Sequence, residues 1–313
     1  MATSNGSANE EFGRWLDDIA SRTRFGRGDR VGTANLIDDG ARQRAAVALI
    51  EGDCVSLARP IMEAAEGVDA EVKVEVGYGQ MAAFGTLTPF AKPLDTGSDV
   101  THVAAHGIDL THLDGLNHMG RGGRWYGDCS VDDPHAPSVA QLASHVLFTR
   151  GVIVDIPAVR GTEWVEPTAP VTGEDIDAAL SRQGTEFVAG DALILYMGRD
   201  RFESAGNTVD LAAVAVGAST PGAGEGAARW IADHDVSIVA WDFLDAFTGR
   251  DTDPTFCVHL LIPAIGQVLV DNCHLGPAID RLRKNGRSDG ALVVATPAIP
   301  RATGALVQPL FIQ

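Results

Sequence analysis

The sequence predicts an α/β fold with mixed sheets in a single domain, and three observations support this. In the second half of the chain, short apolar segments alternate with helical segments, which is typical of a sheet buried on at least one face. The first half is richer in short strands and Gly/Pro turns, which favours strands of mixed direction. No repeat or low-complexity linker interrupts the chain. We therefore expect one domain over residues 11–313, preceded by a disordered polar tail at 1–10.

The elements of the first half follow from helix and turn chemistry. Residues 38–50 (DDGARQRAAVALI) place acidic residues at the start and alanines inside, which predicts a helix. The apolar run CVSLARPI then predicts a strand that ends at Pro60. Between Val74 and Leu94 we expect several short strands separated by Gly/Pro turns.

The second half alternates strands and helices. Thr172, with Asp175 three residues later, resembles a capping box and predicts a helix that starts near residue 173. Two more helices are predicted, through 223–233 and near 276–284. The predicted strands are GVIVDIP at 151–157, ALILYM at 192–197, VSIVAW at 236–241, GQVLV at 266–270 and ALVVAT at 291–296.

The composition is that of a globular protein and excludes several function classes. Of 313 residues, 42 are acidic and 24 are basic, so the net charge is −18. A field of that sign repels phosphate backbones and anionic lipids, and we expect no nucleic-acid or membrane partner. The four cysteines are scattered without a C-x-x-C pair, which fits a reducing compartment. The polar, acidic start lacks the pattern of a signal peptide, so we expect a cytoplasmic protein.

Four of the nine histidines lie within THVAAHGIDLTHLDGLNH at 101–118. His112 and Asp114 are two residues apart, so in an extended segment both side chains point to one face. Gly115 can then turn the chain so that His118 returns towards the same point. Imidazole and carboxylate together suit Zn²⁺, Mn²⁺ or Fe²⁺. The spacing is short and common, and a polar loop whose histidines only make hydrogen bonds is the alternative.

A second polar group lies far downstream. His259 follows the apolar stretch TFCV, and Asp271 directly follows the predicted strand IGQVLV. A carboxylate at the end of an apolar strand lies where open sheets place their ligands. The alternatives are a hydrogen-bonded core histidine for His259 and a helix N-cap for Asp271.

Together these segments resemble the metal-dependent cyclase family, which includes bacterial kynurenine formamidase and isatin hydrolase. The family signature is H-x-G-T-H-x-D-x-x-x-H, and its later part stands here as T-H-L-D-G-L-N-H at 111–118. The resemblance extends in order over about residues 25–313. It includes GTANL at 32–36, VSLARP at 55–60, RGVIVD at 150–155, VAGDALILYMG at 188–198, FCVH at 256–259 and VDN at 270–272.

The resemblance implies a role for each matching residue. His112, Asp114 and His259 match metal ligands, with one divalent ion, Zn or Mn, expected and two possible. His118 matches the closing histidine, a general acid/base, and Asp271 stands where the family usually has a glutamate that ligates metal or handles protons. The resemblance also implies the swivelling β/β/α domain of the family, assembled as a homodimer or homotetramer.

The sequence departs from the signature at two places. The first histidine of the signature falls at Ile108 and its glycine at Leu110. His106 stands two residues too early, and could act as a metal or substrate ligand only if the loop bulges. Asp271 in place of glutamate shortens the reach by one methylene. The first departure favours a single ion over two, and the second bears on the geometry of the metal site.

Two glycine-rich segments carry competing interpretations. G-A-G-E-G-A at 222–227 opens a predicted helix, and Asp242 follows 20 residues after Gly222, which imitates a dinucleotide-binding fingerprint. We favour a simple Gly-rich turn, because the clearest strand before it ends near Met197. The segment RGGRWY at 121–126 is interpreted as a loop beside the metal site whose Trp125 and Tyr126 bind substrate.

The function expected from these observations is a metal-dependent amidohydrolase. It would cleave an amide-type C–N bond of a small aromatic or cyclic substrate, such as an arylformamide, an isatin-like compound or a cyclic amide, with a lactone as a further option. Two alternatives stay open: a metal-dependent lyase or cyclase of secondary metabolism, and a non-catalytic small-molecule-binding protein with a degenerate site.

Overall fold

The computed structural model describes residues 7–61, 72–81, 94–250 and 253–313. The chain divides into two compact units, one formed by Met1–Arg59 with Ile108–Gln313 and the other by Pro60–Gly107. The prediction of one domain over 11–313 concerns the whole chain and stays a prediction.

The first unit contains helices on both sides of a sheet. Its α-helices are α1 (Ser7–Ser21), α2 (Asp39–Val47), α3 (Val139–Ala143), α4 (Ile156–Arg160), α5 (Gly173–Gln183), α6 (Arg199–Ser204), α7 (Leu211–Ala215), α8 (Glu225–Asp233), α9 (Leu261–Ile265) and α10 (Gly276–Asn285). Two 3₁₀ turns span Gly32–Leu36 and Tyr126–Asp128. Within the described residues, no helix is long and apolar enough to cross a membrane.

The strands, numbered along the whole chain, include two that belong to the second unit. They are β1 (Cys54–Ser56), β2 (Val72–Met81), β3 (Leu94–Val103), β4 (His112–Asp114), β5 (Arg124–Trp125), β6 (Cys129–Ser130), β7 (Leu147–Asp155), β8 (Ala192–Tyr196), β9 (Ile238–Trp241), β10 (Val268–Asp271), β11 (Asp289–Val294), β12 (Gly304–Leu306) and β13 (Leu310–Ile312).

Nine of the described strands form one mixed sheet in the order β1-β13-β11-β7-β8-β9-β10-β4-β12. The four central strands β7, β8, β9 and β10 are parallel, and the remaining pairs are antiparallel. The parallel strands are connected through helices, as parallel pairs require. The predicted α/β fold with strands of mixed direction is confirmed.

The parallel part of the sheet is buried on both faces. On β8, Leu193 and Leu195 pack in one apolar cluster, whereas Ala192, Ile194 and Tyr196 pack in the other. This alternation follows from the two-residue period of a strand. It explains why the predicted strands in this half are continuously apolar.

The predicted elements of this unit are observed at or near their expected bounds. Asp38 caps α2 by accepting a hydrogen bond from the amide of Ala41. Thr172 and Asp175 form the predicted capping box at the start of α5. The N-terminal prediction differs, because residues 7–10 form the first turn of α1 and residues 1–6 lie outside the described residues.

In the second unit, the described residues form two strands, β2 and β3, of ten residues each that pair antiparallel from Val72–Val103 to Met81–Leu94. Over 74–81 the structure therefore has one continuous strand and not several short ones, because the ladder runs on through Gly77 and Gly79. Residues 82–93 lie outside the described residues.

Candidate metal centre

Strand β4 carries the first two predicted ligands on one face. His112 and Asp114 are buried with exposures of 3% and 1%, and Leu113 between them packs into the apolar cluster on the other side. The strand lies between β10 and β12, so its position is fixed from both edges. The sequence expectation that both polar side chains share one face is confirmed.

The register between β4 and β10 brings a third group to the same place. Asp271, the last residue of β10, pairs directly opposite His112. Its Oδ1 accepts a hydrogen bond from the indole Nε1 of Trp241, the last residue of β9, at 2.5 Å. The carboxylate is therefore held by the neighbouring parallel strand as well as by its own.

His118 returns to the site through the expected turn. Its amide donates to the carbonyl oxygen of Gly115 at 2.9 Å. A Cβ at Gly115 would lie 2.6 Å from Oδ1 of Asn117 and 3.0 Å from the carbonyl oxygen of Thr303, so this turn requires glycine. The Nε2 atom of His118 lies 4.0 Å from Oδ2 of Asp114, and the side chain is 23% exposed.

His259 reaches the site from the turn that precedes α9. Its Nε2 atom lies 3.1 Å from Oδ2 of Asp271 and 3.7 Å from Oδ2 of Asp114. The residue is buried, with an exposure of 4%. We refer to His112, Asp114, His118, His259 and Asp271 as the His/Asp cluster.

The His/Asp cluster has the donor chemistry and spacing of a site for a divalent ion. Ligand atoms of Asp114, His118 and His259 all lie within 4.8 Å of one another, and Nε2 of His112 lies 3.6 Å from Oδ1 of Asp114. Two donors that are each ~2.1 Å from one ion, at an angle of ~90–110°, are ~3.0–3.4 Å apart. The distances from Asp114 to His112 and to His259, 3.6 and 3.7 Å, lie slightly above this range, and the nitrogen and oxygen donors suit such an ion.

Two histidines of the cluster have their Nδ1 atoms engaged elsewhere. His112 donates from Nδ1 to the carbonyl oxygen of Leu110 at 2.8 Å. His259 places Nδ1 2.5 Å from Oδ2 of Asp245. With the proton on Nδ1, each ring presents the lone pair of Nε2 to the centre of the cluster, which is the tautomer that a metal ligand requires.

The cluster is also strongly polarised. Burial alone would lower the pKa of His259, but the charge of Asp271 and the hydrogen bond with Asp245 outweigh it, so this pKa is raised well above its ordinary value. For Asp271, burial would raise the pKa, but the charge of His259 and the contact with it lower the pKa to about 2. The buried carboxylates thus favour a positive charge at their centre, whether a proton or a metal ion supplies it.

The first departure from the family signature lies just before β4, whereas the second, Asp271, ends β10. Ile108 provides a backbone carbonyl to Arg199 at 2.9 Å, and Leu110 provides the carbonyl that orients His112. His106 belongs to the second unit, in the turn closed by the amide of Gly107 on the carbonyl of Ala104. Its role as a metal or substrate ligand stays a prediction.

Trp125 and Tyr126 line a cavity of about 920 Å³ between α1, α9 and the 121–128 segment. The hydroxyl of Tyr126 donates to Asp29 at 2.8 Å, and Nε1 of Trp125 donates to the carbonyl of Val131 at 3.2 Å. Among the described residues that line this cavity, none belongs to the His/Asp cluster. The assignment of Trp125 and Tyr126 to substrate binding therefore stays a prediction. The described cavity that they line is not one that the His/Asp cluster also lines.

The competing dinucleotide motif has a packing explanation. An added Cβ at Gly222 would lie 2.4 Å from backbone atoms of residues 244–246, so the glycine allows two backbone segments to touch. Asp242 is 1% exposed and accepts hydrogen bonds from the amides of Met197, Gly198 and Arg199. The carboxylate of Asp242 binds the backbone amides at the start of α6, so it has a structural role. This favours the interpretation of residues 222–227 as a simple Gly-rich turn.

Three residues that support the cluster were not predicted from the sequence: Trp241, Asp245 and Arg199. Trp241 ends the predicted strand β9, and Asp245 follows that strand by four residues, whereas Asp271 is itself the last residue of β10. A carboxylate after an apolar strand was the signal that could have identified Asp245. Arg199 gave no signal, because nothing in a sequence marks a buried arginine.

Arg199 ties together the two strand ends that carry His112 and Asp271. It is 2% exposed, and its Nη1 donates to the carbonyl of Ile108 at 2.9 Å and to Oδ1 of Asn272 at 2.8 Å. Its Nε donates to Glu203 at 2.8 Å, which balances the buried charge.

Comparisons with known proteins agree with this architecture. A model of the cyclase family matches residues 60–246, a range that includes His112, Asp114 and His118. A crystal structure described as a novel cyclase has a TM-score of 0.76 at 21% identity, covering 95% of this chain and 99% of its own. An isatin hydrolase bound to the product analogue thioisatinate has a TM-score of 0.52 at 18% identity, covering 87% of this chain and 94% of its own. At such identities the likeness establishes the fold. The comparison with curated proteins gave no match.

Proposed function

The chain belongs to the cyclase family, and from this premise and the geometry of the His/Asp cluster we propose that it is a metal-dependent hydrolase of amide-type C–N bonds. One observation carries the proposal. Side chains from β4, from the end of β10 and from the turn before α9 direct imidazole and carboxylate donors at one buried point. Burying so many charged groups together costs free energy unless a cation holds them, which supports a metal-binding role.

The ion would be held by His112, Asp114 and His259. When bound, a divalent ion lowers the pKa of a coordinated water and polarises a carbonyl group, which is the chemistry that amide hydrolysis needs. Either Zn²⁺ or Mn²⁺ suits this mixture of nitrogen and oxygen donors.

His118 would exchange protons with the substrate. Within the His/Asp cluster it is the most exposed side chain, at 23%, whereas His112 and His259 are almost fully buried. An imidazole at the boundary between the site and solvent can accept a proton from the attacking water and return it to the leaving nitrogen. Asp271 would orient the attacking water or complete the ligand set, because its Oδ2 lies 3.1 Å from Nε2 of His259.

The substrate class is proposed as a small aromatic or cyclic amide, such as an arylformamide or an isatin-like ring. The likeness to an isatin hydrolase supports this choice, since that protein was solved with the product analogue thioisatinate. A lactone would follow the same route, because its carbonyl reacts in the same way.

The experiment is a hydrolysis assay on protein reconstituted separately with Zn²⁺ and Mn²⁺. The panel contains N-formyl anilines, isatin, cyclic imides and lactones. We expect turnover of at least one C–N substrate that is lost in His112→Ala and kept in His234→Ala, a control histidine that stacks on Trp230. A metal-replete protein inert towards the whole panel would contradict the proposal.

The name of the family favours one second candidate, a lyase or ring-closing enzyme that uses the same ion. Incubation in ¹⁸O-labelled water separates the two. Hydrolysis incorporates one labelled oxygen into the product acid, whereas elimination or ring closure incorporates none.

A further inference from the structure

Asp245 holds the far side of the His259 ring. Its Oδ2 lies 2.5 Å from Nδ1 of His259, and both groups are almost fully buried. The same carboxylate accepts from the amide of Val258 through Oδ1 at 2.6 Å. Both oxygens are therefore in use, Oδ1 by the amide of Val258 and Oδ2 by the ring of His259.

The backbone that carries Asp245 is held in turn by the Gly-rich turn at 222–224. Ala223 pairs with Asp245 as an isolated bridge, and its amide donates to the carbonyl of Leu244 at 3.0 Å. The amide of Ala246 donates to the carbonyl of Ala223 at 2.9 Å. Gly222 has no room for a Cβ, because backbone atoms of 244–246 would lie 2.4 Å from it.

From these contacts we infer that Asp245 is a positioning residue for the metal site, and that the Gly222–Gly224 turn fixes Asp245 so that His259 presents Nε2 to the His/Asp cluster. The inference rests on the proposed function, because it concerns the use of His259 as a ligand. It also gives the glycine motif a role in the site that does not involve a dinucleotide.

The two histidine ligands differ in a way that makes Asp245 important. His112 is oriented by the neutral carbonyl of Leu110, two residues before it, so its tautomer depends only on local backbone. His259 is oriented by a charged group 14 residues away in sequence. A carboxylate partner increases the basicity of a ligand imidazole and fixes its tautomer, and loss of such partners typically weakens metal binding about 10–100-fold.

The variant Asp245→Asn tests this with little change of volume. An amide has one acceptor oxygen, so it cannot serve both Val258 and His259. If its NH₂ group faces the ring, Nδ1 becomes the acceptor and the proton moves to Nε2, where it blocks the ligand position. We expect metal affinity, measured by chelator competition, to fall about 10–100-fold. In ¹⁵N NMR of labelled histidine, the loaded wild-type protein should have His259 protonated on Nδ1.

A matched control is Asp242→Asn. Asp242 is as buried as Asp245 and also accepts backbone amides, but it serves the start of α6. We expect this variant to have a lower melting temperature and unchanged metal affinity. Wild-type affinity in Asp245→Asn, or an equal loss of affinity in both variants, would overturn the inference.

A metal-free measurement separates this inference from the proposed function. Asp245→Asn should lower the melting temperature of the metal-free protein less in a His259→Ala background than in the wild-type background, because its partner is already absent. Equal decreases in both backgrounds would mean that Asp245 does not act through His259. If the wild-type protein binds no metal, the proposed function fails and this cycle still decides the role of Asp245.

The Gly-rich turn has its own pair of variants. Gly222→Ala forces backbone atoms apart, so we expect lower metal affinity as well as a lower melting temperature. Gly226→Ala is the control: its Cβ would press on residues 172–173 at 3.3 Å and lower the melting temperature, but these neighbours do not hold Asp245, so we expect unchanged metal affinity. If a folded Gly222→Ala protein keeps wild-type metal affinity, the Gly222–Gly224 turn does not position Asp245.

Discussion

The Nε2 atom of His259 lies 3.1 Å from Oδ2 of Asp271, although the two residues approach from a turn and from the end of a parallel strand. On the other side of β10, His112 is the direct register partner of Asp271. Asp271 therefore connects the local histidine motif on β4 with the distant histidine. The site depends on the order of β9, β10 and β4 in the sheet as much as on the motif itself.

His118→Ala should retain the metal and lose most of the turnover. Its Nε2 lies 4.0 Å from the nearest carboxylate oxygen, and it is exposed enough to exchange protons with solvent. General acid/base groups typically contribute about 10²–10⁴-fold to the rate. The measurement is kcat at saturating substrate together with metal content. A loss of metal in proportion to the loss of rate would make His118 a ligand instead.

Asp242→Ala should destabilise the protein strongly without emptying the metal site. Its carboxylate accepts from four backbone amides, those of Met197, Gly198, Arg199 and Phe243. Removing it leaves several buried donors unsatisfied, and we expect a decrease in the free energy of unfolding of about 3 kcal/mol. Urea unfolding of the metal-free protein measures this. A decrease below about 1 kcal/mol would mean that water replaces the carboxylate.

Asp175→Asn should lower the free energy of unfolding, and the size of this decrease should depend on pH. Burial would raise the pKa of Asp175, but the hydrogen bonds from Arg160 and Thr172 lower it below its ordinary value of 3.8. A lowered pKa in the folded state means that the carboxylate stabilises the fold above pH 3.8 and loses this effect as the pH falls further. We expect a decrease in the free energy of unfolding of about 1 kcal/mol at pH 7 that becomes smaller as the pH falls below 3.8.

The check is urea unfolding of wild-type and Asp175→Asn proteins at pH 3 and pH 7. Asp177→Asn on the same helix is the comparison; its carboxylate accepts from the indole of Trp230 and takes no part in the capping box. A cost for Asp175→Asn that stays constant over this range would show that its charge is not involved.

Much of the fold and part of the site could be predicted from local sequence. The β4 site follows from a two-residue period and a glycine turn, so His112, Asp114 and His118 were identified together. The capping box at Thr172 and Asp175 is likewise a local pattern. Each of these depends on residues within a few positions of one another, where backbone geometry alone decides the outcome.

The remaining features depend on which strands are neighbours. His259 and Asp271 join the site through sheet order, and only the family resemblance linked them to His112 in advance. Asp245 was missed because its partner lies 14 residues away without a motif. Strand β2 of the second unit was wrongly predicted as short strands, because Gly77 and Gly79 resemble turn residues when the partner strand is not known.

The central claim is that His112, Asp114 and His259 hold a divalent ion, and elemental analysis of purified protein tests it most directly. Wild-type protein, reconstituted with Zn²⁺ or Mn²⁺ and desalted, should retain about one equivalent of metal, the occupancy of a single site with three protein ligands. His112→Ala should retain almost none, and His234→Ala should match the wild type. Wild-type protein that keeps no metal, or a His112→Ala variant that keeps as much as the wild type, would contradict the account.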